Sequence, residues 1–167
     1  MKFKNLGLGV TVFFISQSFL LTFAHAGEVM VTDTQGSPEI IRHGQTMPAT
    51  VGMACEKSDV LKTPAECTVD VAMNGIAGCR LLPSSECAIV DENPATVNLN
   101  VQSGNVILNL DQLPSDSSFI VETPTAIASV RGTQFWGRVD LNQAENPVTT
   151  FAVREGVVQV FSKEAQQ

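Results

Sequence analysis

The feature that most constrains this chain is a period of two. Cys67, Val69, Val71 and Met73 alternate with Thr68, Asp70 and Ala72. Val97, Leu99 and Val101 alternate with Asn98, Asn100 and Gln102, and beyond Ser103-Gly104-Asn105 the pattern resumes in Val106, Leu108 and Leu110. Side chains of a strand point alternately to its two faces, so these segments are half-buried strands. Further short apolar runs cover 29–31, 39–42, 119–122, 126–130, 134–141, 149–153 and 157–161, and no segment sustains a helical period. Turn residues separate the runs: Gln35-Gly36-Ser37-Pro38, His43-Gly44 and Glu155-Gly156, and above all Asn74-Gly75, a two-residue hairpin signal. A two-residue turn there sets Met73 opposite Ile76 and Asp70 opposite Cys79. The expected fold is all-β: about a dozen short antiparallel strands in a twisted sandwich or roll. A solenoid is the less favoured form, because no fixed repeat length appears.

The first 26 residues read differently from the rest. Lys2 and Lys4 precede an uncharged, mostly apolar run from Leu6 to Phe23, and Ala24-His25-Ala26 follows as a small-x-small cleavage site. This is the layout of a secretory signal, with residues 27–167 as one mature β domain. No other apolar stretch has the length of a membrane span. Loss of Lys2 and Lys4 leaves eight of the ten basic residues against seventeen acids, a net charge of −9. A surface that acidic lacks the basic stripe that nucleic acid requires, and it is repelled by anionic lipid. The expected location is the periplasm or the cell surface.

Four cysteines remain, Cys55, Cys67, Cys79 and Cys87. An even number in an exported chain reads as two disulfides. Zinc would need closer pairs and more histidine than His43. The hairpin register puts Cys67 and Cys79 on opposite faces, which leaves two connectivities. Shorter loops favour Cys55–Cys67 with Cys79–Cys87.

Three segments then stand out in order: 101–106 (VQSGNV), 121–135 (VETPTAIASVRGTQF) and 153–160 (VREGVVQV). Together they resemble the FecR domain family, through Thr123, Pro124, Val130, Arg131, Gly132, Thr133, Phe135, Glu155 and Gly156. The resemblance covers about 96–162 closely and 29–95 loosely. It implies a stand-alone exported β module used for binding or assembly. Each motif residue also has an ordinary structural use. Pro124 ends a strand, Gly132 marks a bulge flanked by Arg131 and Thr133, and Glu155-Gly156 makes a tight turn. Glu122 and Glu155 are candidate ion partners of Arg131.

Catalytic sets are missing from the sequence. There is no G-x-S-x-G, H-E-x-x-H or C-x-x-C, and His43 sits beside a turn glycine. Asp91-Glu92 reads as a solvated loop pair. Asp140, Asn142 and Glu145 lack the spacing of a calcium loop. No cofactor or metal is expected. If Phe135, Gly137, Val139 and Leu141 share one face, Trp136 and Arg138 share the other, where an outward Trp beside Arg suits a contact with a partner. The expected function is a non-enzymatic interaction or assembly module for an unknown protein or surface ligand. The alternative is a ligand-sensing domain that passes a signal to a membrane partner, as in FecR-type regulators of iron uptake.

Overall fold

The computed structural model describes residues 29–93, 96–111, 118–141 and 147–163, so the signal segment, Asn142 and Glu145 lie outside the described residues. Alternation is realised as burial. Along Thr68–Met73 the side chains of Val69, Val71 and Met73 are buried and those between them are half-buried. The described residues form twelve strands: β1 Val29–Gln35, β2 Glu39–Arg42, β3 Gln45–Pro48, β4 Ala54–Cys55, β5 Val60–Thr63, β6 Thr68–Met73, β7 Ala77–Leu81, β8 Ser85–Asn93, β9 Thr96–Leu110, β10 Ser118–Glu122, β11 Ala126–Asp140 and β12 Val148–Ser162.

All twelve belong to one hydrogen-bonded sheet, which curls into an open half-barrel. The all-β class is as expected, whereas the two separate sheets of a sandwich are not what forms. The main path runs β3-β2-β5-β8-β9-β7-β6-β1-β4; β10, β11 and β12 branch from the other side of β9. β9 can serve four neighbours because it is long. Its first half pairs with β8 and β10, its second half with β7 and β11.

The curl arises inside the long strands. β9, β11 and β12 have fifteen residues each, and each carries a left-handed glycine near its middle: Gly104 (φ 82°), Gly132 (φ 60°) and Gly156 (φ 90°). In β9 the buried positions are 97, 99 and 101, then 106, 108 and 110; in β11 they are 126, 128 and 130, then 133, 135, 137 and 139. The parity flips at the glycine, so the backbone bends while the same face stays toward the core. Glu155-Gly156 is therefore not the tight turn expected, and Ser103-Gly104-Asn105 does not reverse the chain either. They lie within continuous strands, and a turn glycine and a bulge glycine present the same residue signal.

The bend also explains a second departure. β10 runs parallel to β9, with Ser118 beside Thr96 and Glu122 beside Asn100. Were β9 straight, Leu110 would lie about 46 Å from Thr96. The seven residues that lead on to Ser118 span at most about 28 Å. Only a folded β9 lets the chain return to the start of the same strand.

The β6–β7 hairpin differs by one position. Asn74 (φ 53°) and Gly75 (φ 67°) make the tight turn, closed by Ile76 N–H donating to Met73 O at 3.0 Å, but Met73 pairs with Ala77 and Val71 with Cys79. Ile76 is an extra residue, and its carbonyl instead accepts from Asp111 N–H at 3.0 Å. Cys67 and Cys79 thus share the buried face rather than opposing faces.

One core unites both halves of the curl, from Val29 and Val31 through Leu99 and Leu108 to Phe119 and Phe135. Among the described residues no helix is long and apolar enough to cross a membrane.

Candidate functional site

Most of the motif residues are committed to two places in the sheet, the bend at Gly132 and the turn at Pro124. At the Gly132 bend, Thr133 is buried and its Oγ1 lies 3.1 Å from Val157 O on β12 and 3.2 Å from Arg131 O. Gly156 stands against this point: a Cβ there would come within 2.5 Å of Gly132 O and 2.8 Å of Thr133 Oγ1. Arg131 is exposed opposite Val157. Glu122, a candidate partner for it, accepts from Asn98 Nδ2 at 3.0 Å and faces Lys163 Nζ at 3.4 Å.

At the turn between β10 and β11, hydroxyls form a chain. Thr125 Oγ1 donates to Thr149 Oγ1 at 2.7 Å, Thr149 donates to Thr123 Oγ1 at 2.8 Å, and Thr123 donates to Ala126 O at 3.1 Å. Thr123 Oγ1 also accepts from Ala126 N–H at 3.0 Å. Every donor is matched to an acceptor, as a buried hydroxyl requires. Pro124 is exposed at the tip of this turn. Val130 and Phe135 are core residues, and Phe135 packs edge to face on Phe151 (6.1 Å, 68°). Gly137 makes room for Phe151, whose ring a Cβ there would meet at 3.3 Å.

A different surface is open. Trp136 lies half-buried on the outer face, flanked by Ile107 of β9 and Ala152 of β12. With Asn109, Gln134 and Arg154 these residues line a groove of about 510 Å³. A second hollow of about 380 Å³ on the same face shares Ile107 and Asn109 and reaches Gly78 and the Asp70–Arg80 ion pair. Ile107 is 43% exposed, unusual for a β-branched residue in a central strand. No strand covers this face among the described residues. Arg138, three strand positions further on than Phe135, is exposed and bonded to Asp140 at 2.7 Å. It borders the groove and does not line it.

Sequence reasoning missed a polar knot in the irregular stretch 43–66. Asp59 is 1% exposed, and Arg42 donates to it through Nε (3.0 Å) and Nη2 (2.7 Å). Arg42 also donates to Glu56 Oε1 (2.6 Å) and Ala54 O (2.8 Å), and Glu56 N–H donates to Asp59 (2.8 Å). The hydrogen bond to Asp59 raises the Arg42 pKa. Arg42 ends β2, Ala54 opens β4, and Glu56 and Asp59 lie between β4 and β5, so no local motif announces them.

The structure holds no disulfide, and it sets one of the two expected pairs far apart. Cys55 sits beside Val29 at one end of β1, while Cys67 packs against Gly36 just past the other and accepts from Ser37 N–H at 3.3 Å. Seven strand positions separate those ends, roughly 20 Å at the strand rise, against the 4–7 Å a bridge requires. Cys79 and Cys87 both face the core. Burial pushes the Cys87 thiol up to about 12 and that of Cys79 well above its ordinary value. Both shifts disfavour the thiolate at neutral pH. His43 occupies the β2–β3 turn at φ 50°. Among the described residues no three His, Cys, Asp or Glu side chains come together as a metal site.

Comparison with known proteins places residues 59–159 in the FecR protein family. The match starts at the threshold of β5 and runs into β12, well before the segments that carry the visible motif. β1 to β4 fall outside it but share the same sheet. No curated protein and no solved structure matches the chain.

Proposed function

Since the chain belongs to the FecR family, which is regulatory and not known for catalysis, we propose that it acts by binding rather than by turnover. On this reading it is an exported, non-enzymatic interaction or assembly module of the periplasm or cell surface. Residues 1–26 would direct export, and residues 27–167 would act as one domain with no nucleic-acid partner. The observation that carries the proposal is the Trp136 groove. Apolar side chains of three adjacent strands are left uncovered there, while the motif residues nearby are engaged in bending the sheet. A half-buried Trp with an exposed Ile beside it and Arg154 at the rim has the composition of an interface hot spot.

The family's signalling character favours a second reading, in which a small ligand fills the groove and the domain reports to a membrane partner. Trp136→Ala discriminates. Truncating a half-buried ring should cost only about 1 kcal/mol of stability. Retention of envelope proteins by the immobilised domain should fall at least tenfold. A melting temperature raised by a small molecule in wild type but not in the variant would favour the sensor. Undiminished partner retention by a folded Trp136→Ala protein would refute the groove as the contact.

A further inference from the structure

Among the described residues the sheet has three terminal strands, and two of them are protected. β3 has four residues and ends in Pro48; β4 has two. Short strands and proline are the usual means of preventing edge-to-edge pairing. β12 has neither. It runs fifteen residues without Pro or Lys, and among the described residues it pairs only with β11. Val157 is 77% exposed, Val148 57% and Phe161 45% on its outer face; on its inner face Val160 is 49% and Val153 46% exposed. Its only charges, Arg154 and Glu155, are adjacent at its centre and make no ion pair or side-chain hydrogen bond among the described residues.

We propose that this edge pairs with the same edge of a second copy, antiparallel, about a two-fold axis between Arg154 and Glu155. Three properties of β12 select that register. The first is charge. With the axis there, each Arg154 lies opposite Glu155 of the other copy. A slip of one residue sets Arg154 against Arg154 or Glu155 against Glu155, and a slip of two strands each charge against an apolar residue or Gly156. The second is parity. A straight strand pairing odd with even residues about a two-fold axis would oppose inner to outer faces. The bulge at 154–156 flips the alternation, since Phe135 pairs with Val153 but Arg131 with Val157. Outer Val148 then meets outer Phe161, Ala152 meets Val157, and inner Phe151 meets inner Val158. The third is shape. The axis passes through the bend of β12, so rotation exchanges its two arms and the paired strands share one curvature. The half-barrels would join along their open edges into one continuous trough. Such an isologous contact is closed and stops at two copies.

The test is sedimentation equilibrium of the chain at low salt, where charge pairs across an edge are least screened. Wild type should dimerise. Arg154→Glu and Glu155→Arg, each placing like charges opposite one another twice, should weaken the dimer about tenfold or more. The double variant Arg154→Glu/Glu155→Arg restores the pairing with signs exchanged and should recover the wild-type affinity. Melting curves establish that all three variants are folded. A wild type that stays monomeric to roughly 100 µM, a dimer indifferent to both single reversals, or a folded double variant that fails to recover would each overturn the proposal.

Discussion

Gly156→Ala tests the central structural claim, that the motif glycines exist to bend the sheet. Two costs add at this position. The backbone is left-handed at φ 90°, which costs an alanine about 1–2 kcal/mol. The new Cβ would also stand 2.5 Å from Gly132 O and 2.8 Å from Thr133 Oγ1. Both neighbours are held at the bend, the hydroxyl by its bond to Val157 O at 3.1 Å. Relief requires moving β12 away from β11 and weakening that bond, about another 1–2 kcal/mol. Restricting the unfolded chain returns about 0.5 kcal/mol, so the net loss should be about 2–3 kcal/mol. For a domain of this size that lowers the melting temperature by roughly 5–10 °C. Gly52→Ala is the matched control: φ is 84° and a Cβ there meets nothing within 4 Å. It carries the first cost alone and should lose about 1 kcal/mol. Urea titrations of both variants, followed by circular dichroism, give the comparison. Equal losses would show that the close approach at Gly156 is not what its place demands.

Other expectations concern the parts the sequence did not announce. Asp59→Ala removes the acceptor of Arg42 and of Glu56 N–H, and should cost about 2–3 kcal/mol by urea midpoint; a loss below about 0.5 kcal/mol would show that the knot is ornamental. In the reduced chain, Cys79 and Cys87 should resist alkylation at neutral pH and react on unfolding. Fast labelling of native protein would contradict their burial. The Cys87 shift also predicts a pH dependence. Its folded thiol sits at about 12 against an ordinary 9.0, so its stabilising contribution is intact below pH 9 and is lost as pH rises from there toward 12. An alkaline unfolding curve flat through that window would refute the shift.

Fold class was legible because alternation is a local property. Val69, Val71 and Met73, or Val97, Leu99 and Val101, state their faces without reference to any neighbour. The groove was half legible. The parity of Phe135 and Val139 puts Trp136 outside, yet only the pairing of β9, β11 and β12 brings Ile107 and Ala152 to its flanks. The hairpin register slipped by one because Asn74-Gly75 specifies a turn but says nothing of Ile76, whose displacement depends on Asp111 from a distant loop. The Cys55–Cys67 pairing failed for a similar reason. Loop length measures chain entropy, whereas β1 holds the two ends rigidly apart.

What the sequence determined alone is therefore what spacing can encode: strands, their buried faces, acidic character, and the positions of the special glycines. What those glycines do was decided by tertiary structure. A left-handed glycine lets a chain reverse or lets a strand bulge with equal ease, because the missing Cβ removes the same steric barrier in both cases. Which happens depends on whether a partner strand continues past it. Past Gly104 the partners of β9 become β7 and β11 in place of β8 and β10, and β11 runs on beside both arms of β12 around Gly156. The twelve strands therefore bend as one sheet instead of breaking into two, and among the described residues β12 is left with a free edge.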